Sequence, residues 1–356
     1  MKKIAYIEID THAEIAQDFM DLMQESTEFD VSYYFSEKIK NQVLGNGKNI
    51  HISDSSMILD QLSTEKYDLV IIGTVHRYFN TFLAISEQHN TSIIVHNINF
   101  SKISKSDLII NIFKNDLMFR LKLWLKEGLF CTTKAYKNAK NYLVLDQELA
   151  DGRYKFLPLF YTKNFKKVSS DVLTIVVPGG VSQKRRDYDK IIKEINDLEI
   201  KIKNGLCLRT KLIEFVFLGK AKGNELKKMV ELERSLENVK IQYFSERVSA
   251  SVFDEWMRKA DVLWCPIQEE AEFFSNREIY GKTKMTGNLG DAIKYGKPAV
   301  FPKNYSSKLE FIMPEEENLI EQFLKLKNFQ YNFQKDFGRE KIQKDAEVFL
   351  NQLMAI

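Results

Sequence analysis

Glu278–Pro302 reads EIYGKTKMTGNLGDAIKYGKPAVFP, with glycines, threonines and lysines directly before an apolar helical pattern and a proline-led apolar run directly behind it. At such a helix entrance Thr286 and Gly287 can present free backbone amides, Lys282 and Lys284 bring charge, and Asp291 lies about one turn inside. Gly296 closes the helix and Pro298 bars its continuation. The entrance suits an anion; the plain alternative is a capped surface helix.

On both sides of this stretch, apolar runs of strand length alternate with segments of helical spacing. IAYIEI, FDVSYYF, YDLVIIG, TSIIVHN and NYLVLD are strands in the first half, and VLTIVVPGG, LIEFVFLG, VKIQYFS and DVLWCPI continue the pattern in the second. Alternation of this kind predicts an α/β protein built of two parallel sheets covered by helices. Pro158 is the first proline of the chain, and the polar cluster after it places the junction near residues 158 to 170. The expected division is therefore 1–163, 164–334, and a terminal helix in 335–356. That helix puts Ile342, Ala346, Phe349, Leu350 and Leu353 on one face, able to pack back on the first domain.

The chain has 356 residues and is 44% hydrophobic, enough for two cores. Its 52 basic and 49 acidic residues leave a net charge of +3, which argues against nucleic acid as a partner through bulk charge. Cys131, Cys207 and Cys265 are scattered, odd in number and without metal spacing, which predicts a reducing cytoplasm and no metal centre. The start, MKKIAYIEID, is broken by Glu8 and Asp10 and reads as neither signal peptide nor membrane span.

Ligands of open parallel sheets gather at the carboxyl ends of strands. There Gly179–Tyr188 reads GGVSQKRRDY: Gly179 and Gly180 let backbone approach an anion, Ser182 is a candidate helix cap, and Lys184, Arg185 and Arg186 are three adjacent cations. Together with the Thr286 entrance they suit a diphosphate.

Four blocks in order resemble the donor domain of glycosyltransferases of the GT-B type, most like family 4. GGVSQKRRDYDKII resembles the G-R-x-S-x-x-K block, EFVFLG the next strand, IQYFSERVSASVFDEWMRKADVLWCPI the block ending A-D-x-x-x-x-P, and TGNLGDAIKYGKPAVF the E-A-x-x-x-G-x-P-V block. The resemblance implies two Rossmann-like parallel-sheet domains facing a cleft, the second binding a nucleotide sugar as substrate with no separate cofactor. By position, Gly179, Gly180, Lys184, Arg185, Lys284, Thr286 and Gly287 would hold the diphosphate, with Lys184 also stabilising the leaving group. Asp291 would take the ribose, and Phe244, Ser245 and Arg247 fall where the base is held. The sequence departs from the family where Gly180 replaces a common arginine, and where the paired glutamates become Thr283 and Asp291.

The first domain of such enzymes binds the acceptor: a glycan, a lipid-linked molecule, or a protein or peptide. All five histidines lie in the first 96 residues, and His12, His76 and His96 follow sheet strands. His96, at the end of an apolar strand, is the first candidate for a catalytic role, resembling the family histidine aimed at the donor sugar. His12, with Asp10 nearby, resembles the base of inverting enzymes. From Lys102 to Lys140 there are nine basic residues against three acidic, interleaved with apolar ones. That mixture is compatible with peripheral contact at the inner face of a membrane, but the apolar residues run nearly around the helix, which favours burial between domains.

The leading expectation is a sugar transferase of glycan or glycoconjugate biosynthesis. An epimerase acting on a nucleotide sugar would need cleft carboxylates, for which Glu269, Glu270 and Glu272 are available, and a noncatalytic binding protein would have kept the fold alone.

Overall fold

The computed structural model describes residues 1–45, 49–165, 170–205 and 212–355. Cys207 and part of the expected junction, 166–169, lie outside them. The first sheet has seven parallel strands: β1 (Lys2–Glu8), β2 (Phe29–Phe35), β3 (Ile50–Ile52), β4 (Leu69–Ile72), β5 (Thr91–Ile94), β6 (Asn141–Val144) and β7 (Tyr154–Phe156). Their spatial order is β3-β2-β1-β4-β5-β6-β7. The second has six, β8 (Val172–Pro178), β9 (Leu212–Lys220), β10 (Val239–Phe244), β11 (Val262–Trp264), β14 (Ala299–Phe301) and β15 (Ile312–Pro314), ordered β10-β9-β8-β11-β14-β15. A hairpin, β12 (Glu270–Phe273) and β13 (Asn276–Ile279), stands apart. The chain thus has two Rossmann-like domains.

Successive side chains of a strand point to opposite faces, and the packing follows that rule. In β1, Ile4 and Tyr6 join a core with Ile15, Phe19 and Leu22 of the helix Ala13–Met23, whereas Ala5 and Ile7 join another with Phe79, Phe82 and Ile85. In β8, Leu173, Ile175 and Val177 meet Ile191, Ile195 and Leu198, while Val176 faces the side held by Leu289, Ala292 and Ile293. The core containing Tyr6 and Val176 is one continuous cluster, carried between the domains by Leu157, Leu159 and Phe160.

That crossing segment is fastened to the helix Gly287–Tyr295. The Thr162 hydroxyl donates to the Ile293 carbonyl at 2.7 Å, and the Phe160 ring lies so close to Gly290 that a Cβ there would meet it at 2.9 Å. The terminal helix Arg339–Met354 buries Ile342, Ala346, Leu350 and Leu353, Phe349 lies half-buried beside them, and Arg339 donates to the Asp21 carbonyl of the first domain at 2.6 Å.

Two expectations need correction, and one element is unforeseen. Ser182 caps no helix: its carbonyl closes a turn with the amides of Arg185 and Arg186, and Asp187 caps the helix Tyr188–Lys203. Unforeseen is strand β12, formed by Glu270–Phe273 soon after β11. The turn Phe274–Ser275 lacks the Asn-Gly signature of two-residue hairpins, yet both residues have positive φ, 50° and 58°. Finally, the apolar residues between Lys102 and Lys140 are not all buried between domains: Ile110, Phe113, Met118 and Leu125 are exposed. Among the described residues no helix is long and apolar enough to cross a membrane.

Across the cleft, Lys294 pairs with Asp18 of the first domain at 3.1 Å, both nearly buried. Burial works against the ammonium charge, but Asp18 and Asp291 together hold its pKa above the ordinary value. Lys294→Met is expected to cost roughly 3 kcal/mol at pH 7, since it strands the buried Asp18 carboxylate and the half-buried Asp291. The loss should shrink toward pH 5, because carboxyls whose folded pKa is raised lose stability as pH rises. Urea unfolding at the two pH values checks this; an unchanged midpoint would rule out a structural role for the pair.

Candidate functional site

The carboxyl ends of β8, β9 and β11 and the start of the helix Gly287–Tyr295 converge around one arginine. Gly179 has φ 100°, and its backbone comes so near Gly219 that a Cβ on Gly219 would lie 2.4 Å from the Gly179 carbonyl oxygen. Against Gly179 rests the Arg186 guanidinium, only 9% exposed. It donates to the Asn288 side-chain oxygen at 3.0 Å and to the Gly180 carbonyl at 3.4 Å, and its Nε is buried without a partner. A guanidinium has five donors, so this cation keeps hydrogen-bonding capacity beside a glycine turn.

Asn288 joins this loop to the helix, donating to the Pro178 carbonyl and to Asp291, each at 3.3 Å. Thr286 is the buried N-cap, its hydroxyl accepting from the Asn288 amide at 3.4 Å. Gly287 is exposed, with no atom within 4 Å of where its Cβ would stand. Asp291 is half-buried between Asn288 and Lys294, and burial raises its pKa. Lys184 and Arg185 are exposed in the turn before the Tyr188 helix. At the end of β10, Phe244 is half-buried, Ser245 is exposed, and Arg247 reaches the Gln42 side chain of the first domain at 2.6 Å.

The first domain contributes a histidine cluster. His12 and His96 stack with centroids 4.0 Å apart, and His76 meets them edge-on at 6.0 and 5.8 Å. His12 stands in the left-handed region, φ 59°, which few non-glycine residues adopt. Its ring Nδ1 bonds Glu14 at 2.9 Å, so the hydrogen-bonded carboxylate is Glu14 and not the expected neighbour Asp10. His96 Nε2 donates to the Gly73 carbonyl at 2.8 Å, which leaves Nδ1 with its lone pair. Burial pushes His76 and His96 well below the usual imidazole range, so both are neutral at pH 7.

A polar chain joins the two halves. Lys284 donates to the Asn97 side-chain oxygen, and the Asn97 amide donates to His76 Nε2 at 3.0 Å. Burial pulls Lys284 down to about 8; Glu278 opposes the shift and Arg185 adds to it. Glu278, fully buried, accepts from the amides of Asn99 at 3.3 Å and Phe100 at 2.9 Å, so it ties the hairpin strand β13 to the first domain. Glu269, Glu270 and Glu272 are exposed near the hairpin, and Glu270 is paired with Arg277. Among the described residues no group of three histidine, cysteine or carboxylate side chains is arranged so that it could hold a metal ion.

Sequence reasoning overlooked three residues here. Arg186 was one of three adjacent cations, and only the turn distinguishes the buried one. Asn97 carries no motif. Glu8, a lone charge in an apolar strand, was the visible signal: it is buried, its pKa is pushed up to about 7 by burial, and it binds the Thr74 hydroxyl at 2.6 Å. It also accepts from the amides of Asp10 and Thr11 at 3.1 Å, and so shapes the loop that presents His12.

No family model and no curated protein matches the chain. Among solved structures it is similar to a glycosyltransferase involved in avilamycin A biosynthesis, with 10% identity, 100% of this chain and 98% of that chain covered, and a TM-score of 0.57. It is also similar to the UDP-GlcNAc 2-epimerase from Neisseria meningitidis bound to UDP-GlcNAc, with 13% identity, coverage of 99% and 100%, and a TM-score of 0.54. The N-terminal domain of Candida albicans trehalose-6-phosphate phosphatase aligns with 8% identity, coverage of 100% and 97%, and a TM-score of 0.56. At such identities these likenesses speak to fold, and the fold is GT-B.

Because Glu8 titrates near 7 when folded and near 4.5 otherwise, its contribution to stability is complete below about pH 4.5 and is lost as pH rises through 7. Glu8→Gln should therefore gain on the wild type as pH rises from 5 to 8, by on the order of 3 kcal/mol. Denaturant melts of both proteins across that range test it; parallel pH profiles would show that Glu8 is ionised throughout.

Proposed function

We propose that the chain is a glycosyltransferase, family 4-like in its donor half, that moves a sugar from a nucleotide sugar to an acceptor held by the first domain. The observation that carries this reading is Arg186: a buried guanidinium with an unpaired Nε, set between a glycine turn and a helix amino terminus. Such a group suits a diphosphate, and the histidines of the other domain are joined to this region through Lys284 and Asn97.

In this reading the leaving diphosphate is neutralised by Arg186, with Lys184, Arg185 and Lys284 at the rim and the amides of Thr286 and Gly287 at the helix start. Gly179 and Gly180 give its oxygens room. Asp291 takes the ribose, and Phe244, Ser245 and Arg247 border the base. His12 stands ahead of His96 as the proton acceptor, because Glu14 engages its Nδ1 and leaves Nε2 for an acceptor hydroxyl. As that oxygen bonds to the anomeric carbon, the proton passes to His12 and the carbon–oxygen bond to the diphosphate breaks. His96, with Nδ1 as acceptor, holds a sugar hydroxyl.

Thermal shift with nucleoside diphosphates tests the donor site, since a ligand at about a hundred times its Kd adds roughly 2.7 kcal/mol. Gly287→Val projects into open space and should fold normally, yet weaken the diphosphate while leaving the nucleoside unaffected. Arg186→Met should lose the diphosphate shift more completely than Lys184→Met. His12→Ala should slow turnover of the nucleotide sugar by about 10²- to 10⁴-fold with diphosphate binding retained. Equal turnover in His12→Ala, His96→Ala and wild type would remove the histidines from the chemistry, and normal diphosphate binding by both Gly287→Val and Arg186→Met would remove the donor site.

A further inference from the structure

Two helices, Lys105–Ile112 and Leu117–Glu127, lie on the flank of the first domain; the first buries Leu108 and Ile112 in the ordinary way, and the second turns charged side chains inward. The inward face of the second holds Arg120, Leu123 and Glu127. Arg120 donates to the Asn111 carbonyl and to Ser275 at 2.8 Å, and its guanidinium lies 4.6 Å from the Phe274 ring centroid. Glu127 holds Arg77 in an ion pair at 2.5 Å. Two charged side chains are thus spent inward, and large apolar ones are left on the solvent side among the remaining charges: Met118 is 82% exposed, Leu125 73% and Phe113 67%, with Ile109, Ile110, Leu117 and Phe119 exposed beside them. A soluble helix normally has the opposite arrangement, and contiguous exposed apolar surface marks a contact site.

Lysines set the kind of contact. Lys105, Lys114, Lys122 and Lys126 are exposed among these apolar residues against two exposed aspartates, Asp107 and Asp116, so the face is net positive. Twofold pairing with a second copy would lay this patch on itself and bring lysines against lysines. A lamella with apolar interior and anionic headgroups satisfies both components, because lysine stems lie along apolar surface while their ammonium groups reach outward to phosphates. We propose that this face docks on an anionic membrane surface, with Met118, Leu125 and Phe113 entering the boundary between headgroups and acyl chains.

The docking face adjoins the candidate site. Arg120 holds Ser275 at the tip of the β12–β13 hairpin, and Phe273 of the same hairpin packs on His76 with centroids 4.3 Å apart. A lipid-borne acceptor reaching the histidines along this edge follows from the docking; that last step, and not the docking, rests on the transferase reading.

The test is co-sedimentation of the full chain with vesicles of phosphatidylcholine alone and of phosphatidylcholine mixed with phosphatidylglycerol, in low and high salt. Binding is expected to the mixed vesicles and to weaken in salt. The paired change Met118→Glu and Leu125→Glu, both at exposed positions, should weaken it more than about tenfold while the thermal melt stays unchanged. Absence of binding to mixed vesicles, equal binding by the variant, or a dimer in ultracentrifugation that the variant dissolves would each overturn the proposal. Vesicle binding without sugar transfer would leave the docking standing and count against the transferase reading.

Discussion

A charge removed from water must find a partner, and in this chain the partner of several buried charges is in the other domain. Lys294 of the helix Gly287–Tyr295 meets Asp18 of the helix Ala13–Met23, Lys284 meets Asn97, and Glu278 meets the amides of Asn99 and Phe100. Leaving any of these unpaired would cost several kcal/mol. Pairing therefore fixes how the two sheets face each other, and with that which residues share the cleft. Lys284 is the clearest instance, since one ammonium group is near Arg185 of the second domain and bonded through Asn97 to His76 of the first.

The architecture was legible because periodicity reports burial. Strands such as TSIIVHN and DVLWCPI could be read from short apolar runs, and the helices from their i, i+3, i+4 spacing. The short edge strands β3, β7 and β15 carry three residues each, too few to show a period. The hairpin escaped for another reason. Its turn places Phe274 and Ser275 in the left-handed region without glycine or asparagine, and the cost is offset by tertiary contact: Phe273 and Phe274 pack against Phe100, and Arg120 covers Phe274. No local rule reveals a turn that is stabilised by another domain.

The candidate site was legible in outline and not in detail. Three histidines after three strands could be marked because strand ends of a parallel sheet share one edge, and the structure stacks two of them. Their proton partners were not readable, since Glu14 was reached by the left-handed turn at His12 and the Gly73 carbonyl by the packing of β4 beside β5. Likewise KRR at 184–186 contains one buried and two exposed cations. Arg186 turns inward because its amide closes the turn from Ser182 and its backbone bridges to Ile267, which directs its side chain at Gly179.

The distribution of apolar and polar contacts also bears on motion. The continuous core links the domains through Leu157, Leu159 and Phe160 and through the terminal helix, and separating those surfaces would expose apolar area to water. Contacts over the cleft are of another kind: Arg247 with Gln42, Lys284 with Asn97, and Glu278 with backbone amides. Water can replace the first, whose arginine is exposed, whereas Lys284 and the fully buried Glu278 are charges that must be re-solvated before the cleft parts. The crossing segment therefore holds the domains together by apolar burial, while the cleft is held by polar pairs of which only the rim contact exchanges readily with solvent. The hairpin stands between these regimes, since its aromatic tip is seated in the first domain beside His76. Opening the cleft requires either unseating Phe273 or moving the hairpin together with the first domain, and that choice decides whether His76 stays covered when a ligand enters.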